Sequence, residues 1–155
     1  MQSINSYRRR RSIFLIFFMD DRNIQQSQRS SLAKPQVLED TKVLAILLDD
    51  LQQFYPHKYK YGWGNDLQRI SAELFEAFHA SQTLLDFNQR VVKLQIFLYK
   101  LDTLCTLLEI ICSRCALPDT KINQIYRLTD KIAKQIKGLR SYFANMASGQ
   151  NQMRR

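Results

Sequence analysis

The sequence predicts an all-α protein: an up-down-up-down antiparallel four-helix bundle, expected to assemble as a barrel-like homo-oligomer. Three observations predict it. Only four glycines and three prolines punctuate 155 residues, too few for the many turns of a β-sandwich or β-barrel. From Gln36 to Phe143, apolar residues recur at three- and four-residue spacing in four separate runs, the signature of helices with one buried stripe. The connections between runs are short, which favours antiparallel neighbours. With 45% hydrophobic content, a chain of this length buries a core without disulfide or metal staples.

The first helix is expected from Gln36 to Tyr55, with Leu38, Leu44, Leu47, Leu48, Leu51 and Phe54 as its stripe and Pro56 as its stop. The second begins after Gly64, capped by Asn65 or Asp66. It carries Leu67, Ile70, Leu74, Phe75 and Phe78 and fades near Ser81. The third, Leu85 to Cys115, is the longest and most apolar. Its seam is Val91, Leu94, Leu98, Leu101, Leu104, Cys105, Leu108, Ile111, Cys112 and Cys115, and Ile96, Phe97, Leu107 and Ile110 fall off that seam. A helix apolar over so wide an arc needs partners on two sides, hence the expected oligomer. The fourth starts at Leu117-Pro118-Asp119, where proline suits the first turn. Ile122, Ile125, Leu128, Ile132, Ile136, Leu139 and Phe143 make its heptad-like set. The bundle is thus expected over residues 35–146, followed by a disordered basic tail over 147–155.

Residues 1–34 read differently. Four arginines, Arg8 to Arg11, precede a seven-residue apolar run, Ile13 to Met19. A bilayer span needs roughly 20 residues, and no Ala-x-Ala cleavage site follows. The polar stretch 20–34 has the composition of a disordered lead-in. The whole is read as a basic extension, with Met19 a sensible alternative start.

The formal charge is +9 and the pI near 9.7, which makes nucleic acid or another acidic surface a reasonable partner. The charge is unevenly placed: residues 1–34 carry +5, residues 35–85 carry −3, and residues 86–145 carry +5. Such polarity suits RNA binding or head-to-tail association of copies.

Candidate chemistry is sparse. Glu76-x-x-His79 has the spacing of half a di-iron motif, but the other histidine, His57, lies in the corner between the first two helices, so the pair is read as part of a solvated face. Cys112-x-x-Cys115 has the spacing of a redox or zinc pair. It sits at a helix carboxy terminus, where the dipole opposes the thiolate, and lacks two further soft ligands. Cys105, Cys112 and Cys115 are therefore expected to be small core hydrophobes. Their odd number argues against a secreted disulfide framework and for the cytoplasm. No glycine-rich phosphate loop, nucleophile elbow or His-Glu-x-x-His occurs. No enzyme activity, cofactor, metal, small-molecule substrate or membrane association is expected.

The basic residues are the remaining signal. Arg90, Lys93 and Lys100 align on the third helix. Arg127, Lys131 and Lys134 follow at i, i+4 and i+7 on the fourth, with Lys137 and Arg140 alongside. Such a ladder can follow a phosphate backbone, each contact releasing condensed counterion; an ordinary solvated face has the same pattern. The corner "YPHKYKYGWGND" (55–66) adds Lys58 and Lys60 for phosphates, while Tyr61 and Trp63 are expected to fold inward over the end of the bundle.

That corner also carries a resemblance. Pro56, Lys60, Gly64 and Leu67, with Tyr61 for Phe, Trp63 for Leu and Asn65 for an acid, resemble the Pro-x-x-x-(Lys/Arg)-Phe-x-Leu-Gly-(Asp/Glu)-Arg-Ile corner of accessory variability determinant proteins. "KLDTL" (100–104) is similar to that family's third helix, and "ALPDTKINQIYRLTDKIAKQIKGL" (116–139) to its fourth, including Gly138. The resemblance covers about residues 36–145. Proteins encoded in intervening sequences of bacterial ribosomal RNA genes are nearly as similar. The resemblance implies a pentameric basic barrel, without catalysis, that binds the reverse transcriptase of a diversity-generating retroelement and structured RNA or an RNA/DNA hybrid. The chain departs from the family at Cys105, Glu109 and Ser113, where two arginines and an aspartate are usual. It departs again at Asp66 for an arginine, and at Lys137-Gly138-Leu139 for Gly-Gly-Trp. A diverged oligomeric scaffold binding only protein partners is the alternative expectation.

Overall fold

The computed structural model describes residues 35–153. The expected basic extension over 1–34, with its alternative start at Met19, lies outside the described residues. So does the end of the tail, residues 154–155. The described chain forms four long helices: α1 (Gln36–Leu51), α2 (Trp63–Thr83), α3 (Phe87–Arg114) and α4 (Asp119–Met153). There is no strand among the described residues.

Each boundary has a local cause. α1 tightens into a 3-10 turn over Gln52–Phe54 rather than running to Tyr55 as an α-helix. Pro56 disfavours helical backbone at the residue before it, and Tyr55 is extended, with ψ 134°. One helical turn, His57–Lys60, leads to α2. α2 starts at Trp63, earlier than expected, with Gly62 before it. Neither Asn65 nor Asp66 caps it: Asn65 Nδ2 donates back to the Tyr61 carbonyl at 2.8 Å, and Asp66 pairs with Arg69 at 3.2 Å. α3 is capped by Asp86, whose carboxylate accepts the Asn88 N–H at 2.9 Å. α4 continues to Met153, past the expected stop near residue 146. No proline interrupts it there, and the one glycine beyond residue 146, Gly149, costs a helix only about 1 kcal/mol.

The helices form a ring in which α1 packs on α2 and α4, and α3 packs on α2 and α4; α1 and α3 are diagonal. The core follows the predicted stripes with two departures: Phe54, expected in the first stripe, is exposed beside the extended Tyr55, and α3 turns a different line of residues inward. Leu44, Leu48 and Leu51 of α1, Leu67, Ile70, Leu74 and Phe78 of α2, and Ile125, Ile132, Ile136 and Phe143 of α4 are buried. On α3, Phe97 is 0% exposed and meets Phe78 edge-on, ring centres 6.5 Å apart. The expected seam set it outside, because a seam drawn through Val91 and Leu98 was centred too far round the helix. Those two residues are only partly buried. Among the described residues, no helix is long and apolar enough to cross a membrane.

Candidate nucleic-acid interface

The ten candidate cations divide into two groups. Five have a partner within the chain. Lys131 Nζ lies 2.9 Å from both oxygens of Asp40. Lys100 pairs with Glu73 at 2.6 Å. Arg90 donates to the Leu84 carbonyl at 2.5 Å and its guanidinium lies over the rings of Phe87 and Phe143. Arg140 donates to Gln95 Oε1. Lys58 sits 4.7 Å over the Tyr59 ring.

The other five, Lys60, Lys93, Arg127, Lys134 and Lys137, make no ion pair among the described residues. Arg127, Lys134 and Lys137 are exposed on α4, opposite the buried line Ile125, Ile132 and Ile136. Arg127 and Lys134 are seven residues apart and share one face; Lys137 stands one helical turn beyond Lys134. Asp130 is the carboxylate within this stretch. Of the α4 cations expected from spacing, Arg127, Lys134 and Lys137 thus make no ion pair among the described residues, while Lys131 is turned to Asp40 of α1 and Arg140 to Gln95 of α3.

The reason for that turn was not visible in the periodicity. Asp40, on α1, is 6% exposed and accepts from Lys131, from Gln135 at 2.8 Å and from Gln36 at 3.1 Å. Burial alone would push its carboxyl up, but these three donors and the Lys131 charge together hold it below the usual aspartate range. Glu73 is likewise held low, first by the hydrogen bond from Lys100, against burial, and with help from Arg69.

The corner differs from expectation in one aromatic. Tyr61 does not fold inward; it is 63% exposed and meets His57 edge-on at 5.1 Å. Tyr55 fills the interior instead, 3% exposed. Gly64 permits this, since a Cβ there would lie 3.3 Å from the Tyr55 ring and 3.4 Å from the Tyr59 carbonyl. Trp63 is half-buried and stacks on Tyr59, ring centres 5.1 Å apart and planes 1° from parallel. Lys60 is half-buried, Lys58 exposed.

The Tyr55 hydroxyl is buried with no hydrogen-bond partner, and burial pushes its ionisation upward. A buried hydroxyl without a partner costs about 1–3 kcal/mol of lost hydration. Tyr55→Phe is therefore expected to stabilise the fold by about 1 kcal/mol, read as a raised urea midpoint. A lowered midpoint would mean that the hydroxyl is satisfied.

Cys115 is buried in the core, Cys112 packs half-buried against it, and Cys105 is half-buried beside Thr129 of α4. Burial pushes all three thiols up, so little thiolate forms near neutrality. Glu76 and His79 are exposed, and among the described residues no three His, Cys, Asp or Glu side chains are grouped to hold a metal ion. Comparison of the chain with protein-family models, curated proteins and solved structures finds no match.

Proposed function

We propose that the chain is a non-catalytic accessory bundle that binds structured RNA, or an RNA/DNA hybrid, together with a reverse transcriptase of a diversity-generating retroelement. The reading includes a cytoplasmic location, up-down-up-down helix order and assembly into a homo-oligomer, pentameric by resemblance. The helix order is supported by α3–α4 pairing that runs in opposite directions along the two helices: Phe87, early in α3, stacks on Phe143, late in α4. The RNA reading rests on one observation above the others. Arg127, Lys134 and Lys137 stand on the exposed face of α4 with no ion pair among the described residues to neutralise them, so their charge is available to phosphates. Lys60, half-buried in the corner, likewise makes no ion pair among the described residues.

The protein-only scaffold is the second reading. It is favoured by the engagement of four of the ten candidate cations within the fold, Lys100 and Lys131 by carboxylates and Arg90 and Arg140 by neutral oxygens. Fluorescence anisotropy with an RNA hairpin separates the two. Lys134→Glu/Lys137→Glu is expected to weaken binding about tenfold or more at moderate salt, with helicity unchanged. Lys131→Met is expected to change affinity by less than about twofold, because that ammonium is already neutralised. Equal affinity of the wild type and the double reversal would remove α4 from the interface.

A further inference from the structure

The outer faces of α1 and of the first half of α3 carry apolar side chains that no other described helix covers. On α1, Val43 and Ile46 are 45% and 59% exposed, flanked at helical spacing by Glu39 before and Asp50 after. On α3, Val92 and Tyr99 are 56% and 65% exposed, with half-buried Ile96 between them. Spacings of four and three residues put Val92, Ile96 and Tyr99 on one stripe. Because α1 and α3 are diagonal in the ring, the two faces point to opposite sides of the bundle.

Their charges are opposite. From Gln36 to Phe54 the chain carries four carboxylates and one cation, Lys42; from Phe87 to Leu101 it carries Arg90, Lys93 and Lys100 and no carboxylate. Most of these charges are engaged. Asp40 is held by Lys131, Glu39 by Lys42, Lys100 by Glu73, and Asp49 accepts from Gln68 at 3.0 Å. Asp50 on α1 and Lys93 on α3 make no ion pair among the described residues. Pairing either face with itself across a two-fold axis would set like charges together, whereas pairing one with the other sets Asp50 near Lys93.

We propose that the outer face of α1 in one copy docks on the outer face of the amino-terminal half of α3 in the next. The contact joins two different patches, so it is head-to-tail and builds a closed ring or a chain of copies rather than a two-fold dimer. The inference gives surfaces to the self-assembly in the reading above; it does not depend on RNA.

Sedimentation velocity of the full chain without RNA, in about 50 mM salt to limit screening, tests it. The wild type is expected to associate with rising concentration. Asp50→Lys and Lys93→Glu are each expected to weaken association several-fold. Mixing the two variants, or combining both changes in one chain, is expected to restore it, because either arrangement places a new lysine opposite a new glutamate. Ile46→Glu should abolish association while leaving the helical circular dichroism intact. A wild type that stays monomeric at about 100 µM, or single reversals that associate as the wild type does, would overturn the proposal. So would single reversals that weaken association with no rescue on mixing. RNA binding by a monomeric protein would overturn this assembly while leaving the RNA reading in place.

Discussion

Phe97→Ala is expected to lower the free energy of unfolding by about 3–5 kcal/mol, the largest effect of any single truncation considered. The ring is 0% exposed and packs on Phe78, in the layer where α3 meets α2. Truncation removes the transfer energy of a phenyl group and leaves a cavity that helices held on both sides cannot fully close. Most two-state domains of this size have only 5–15 kcal/mol in hand, so the variant should lose a large part of its stability. Urea unfolding followed by circular dichroism checks it, with Phe75→Ala as the comparison. Phe75 is half-buried on the same helix as Phe78, and its truncation should cost clearly less. Equal costs would mean that α3 is rotated, with Phe97 at the edge where periodicity alone had set it.

Lys131→Glu is the second large effect, about 2–3 kcal/mol of destabilisation near neutral pH. It replaces the ammonium 2.9 Å from the Asp40 oxygens with a second carboxylate. Asp40 is almost wholly buried and cannot turn to water, whereas the Lys131 side chain is 53% exposed. The cost therefore falls on the aspartate. The pH dependence follows from the direction of its shift. In the wild type the folded carboxyl titrates below its unfolded value, so its contribution is complete above about pH 4 and is lost as acid takes the pH through the lower folded value. In the variant, a like charge and burial both push the Asp40 carboxyl up, so acid near pH 4–5 relieves the repulsion. The stability gap between the two proteins should be full at pH 7 and shrink towards pH 3. A gap independent of pH would show that the Asp40–Lys131 pair does not carry the effect.

These two residues also mark how far the sequence could be read. The four helices and most of their buried positions follow from period 3.6 alone, because Leu44, Leu48, Leu74, Leu104, Ile132 and their neighbours recur without interruption. Phe97 was misplaced since α3 is apolar over so wide an arc that several seams fit, and only the position of α2 selects one. Asp40 was unreadable: an acid on an amphipathic helix is ordinarily solvated, and its burial depends on Lys131 and Gln135, roughly 90 residues away in sequence. The same contact withdraws Lys131 from a ladder in which spacing had given it the central place. In the corner, composition marked a packed turn but could not say which of three tyrosines turns inward. That choice falls to Tyr55 because Gly64 leaves room for its ring.

The central claim is that unpaired cations on α4 follow a phosphate backbone. The most direct test is the affinity of the chain for a structured RNA, measured across a range of salt. Three cations, Arg127, Lys134 and Lys137, acting on three phosphates predict a log–log slope of about −2 to −3 per bound chain. That slope should fall by roughly two in Lys134→Glu/Lys137→Glu. A slope near zero, or an equally steep slope in the double reversal, would contradict the account.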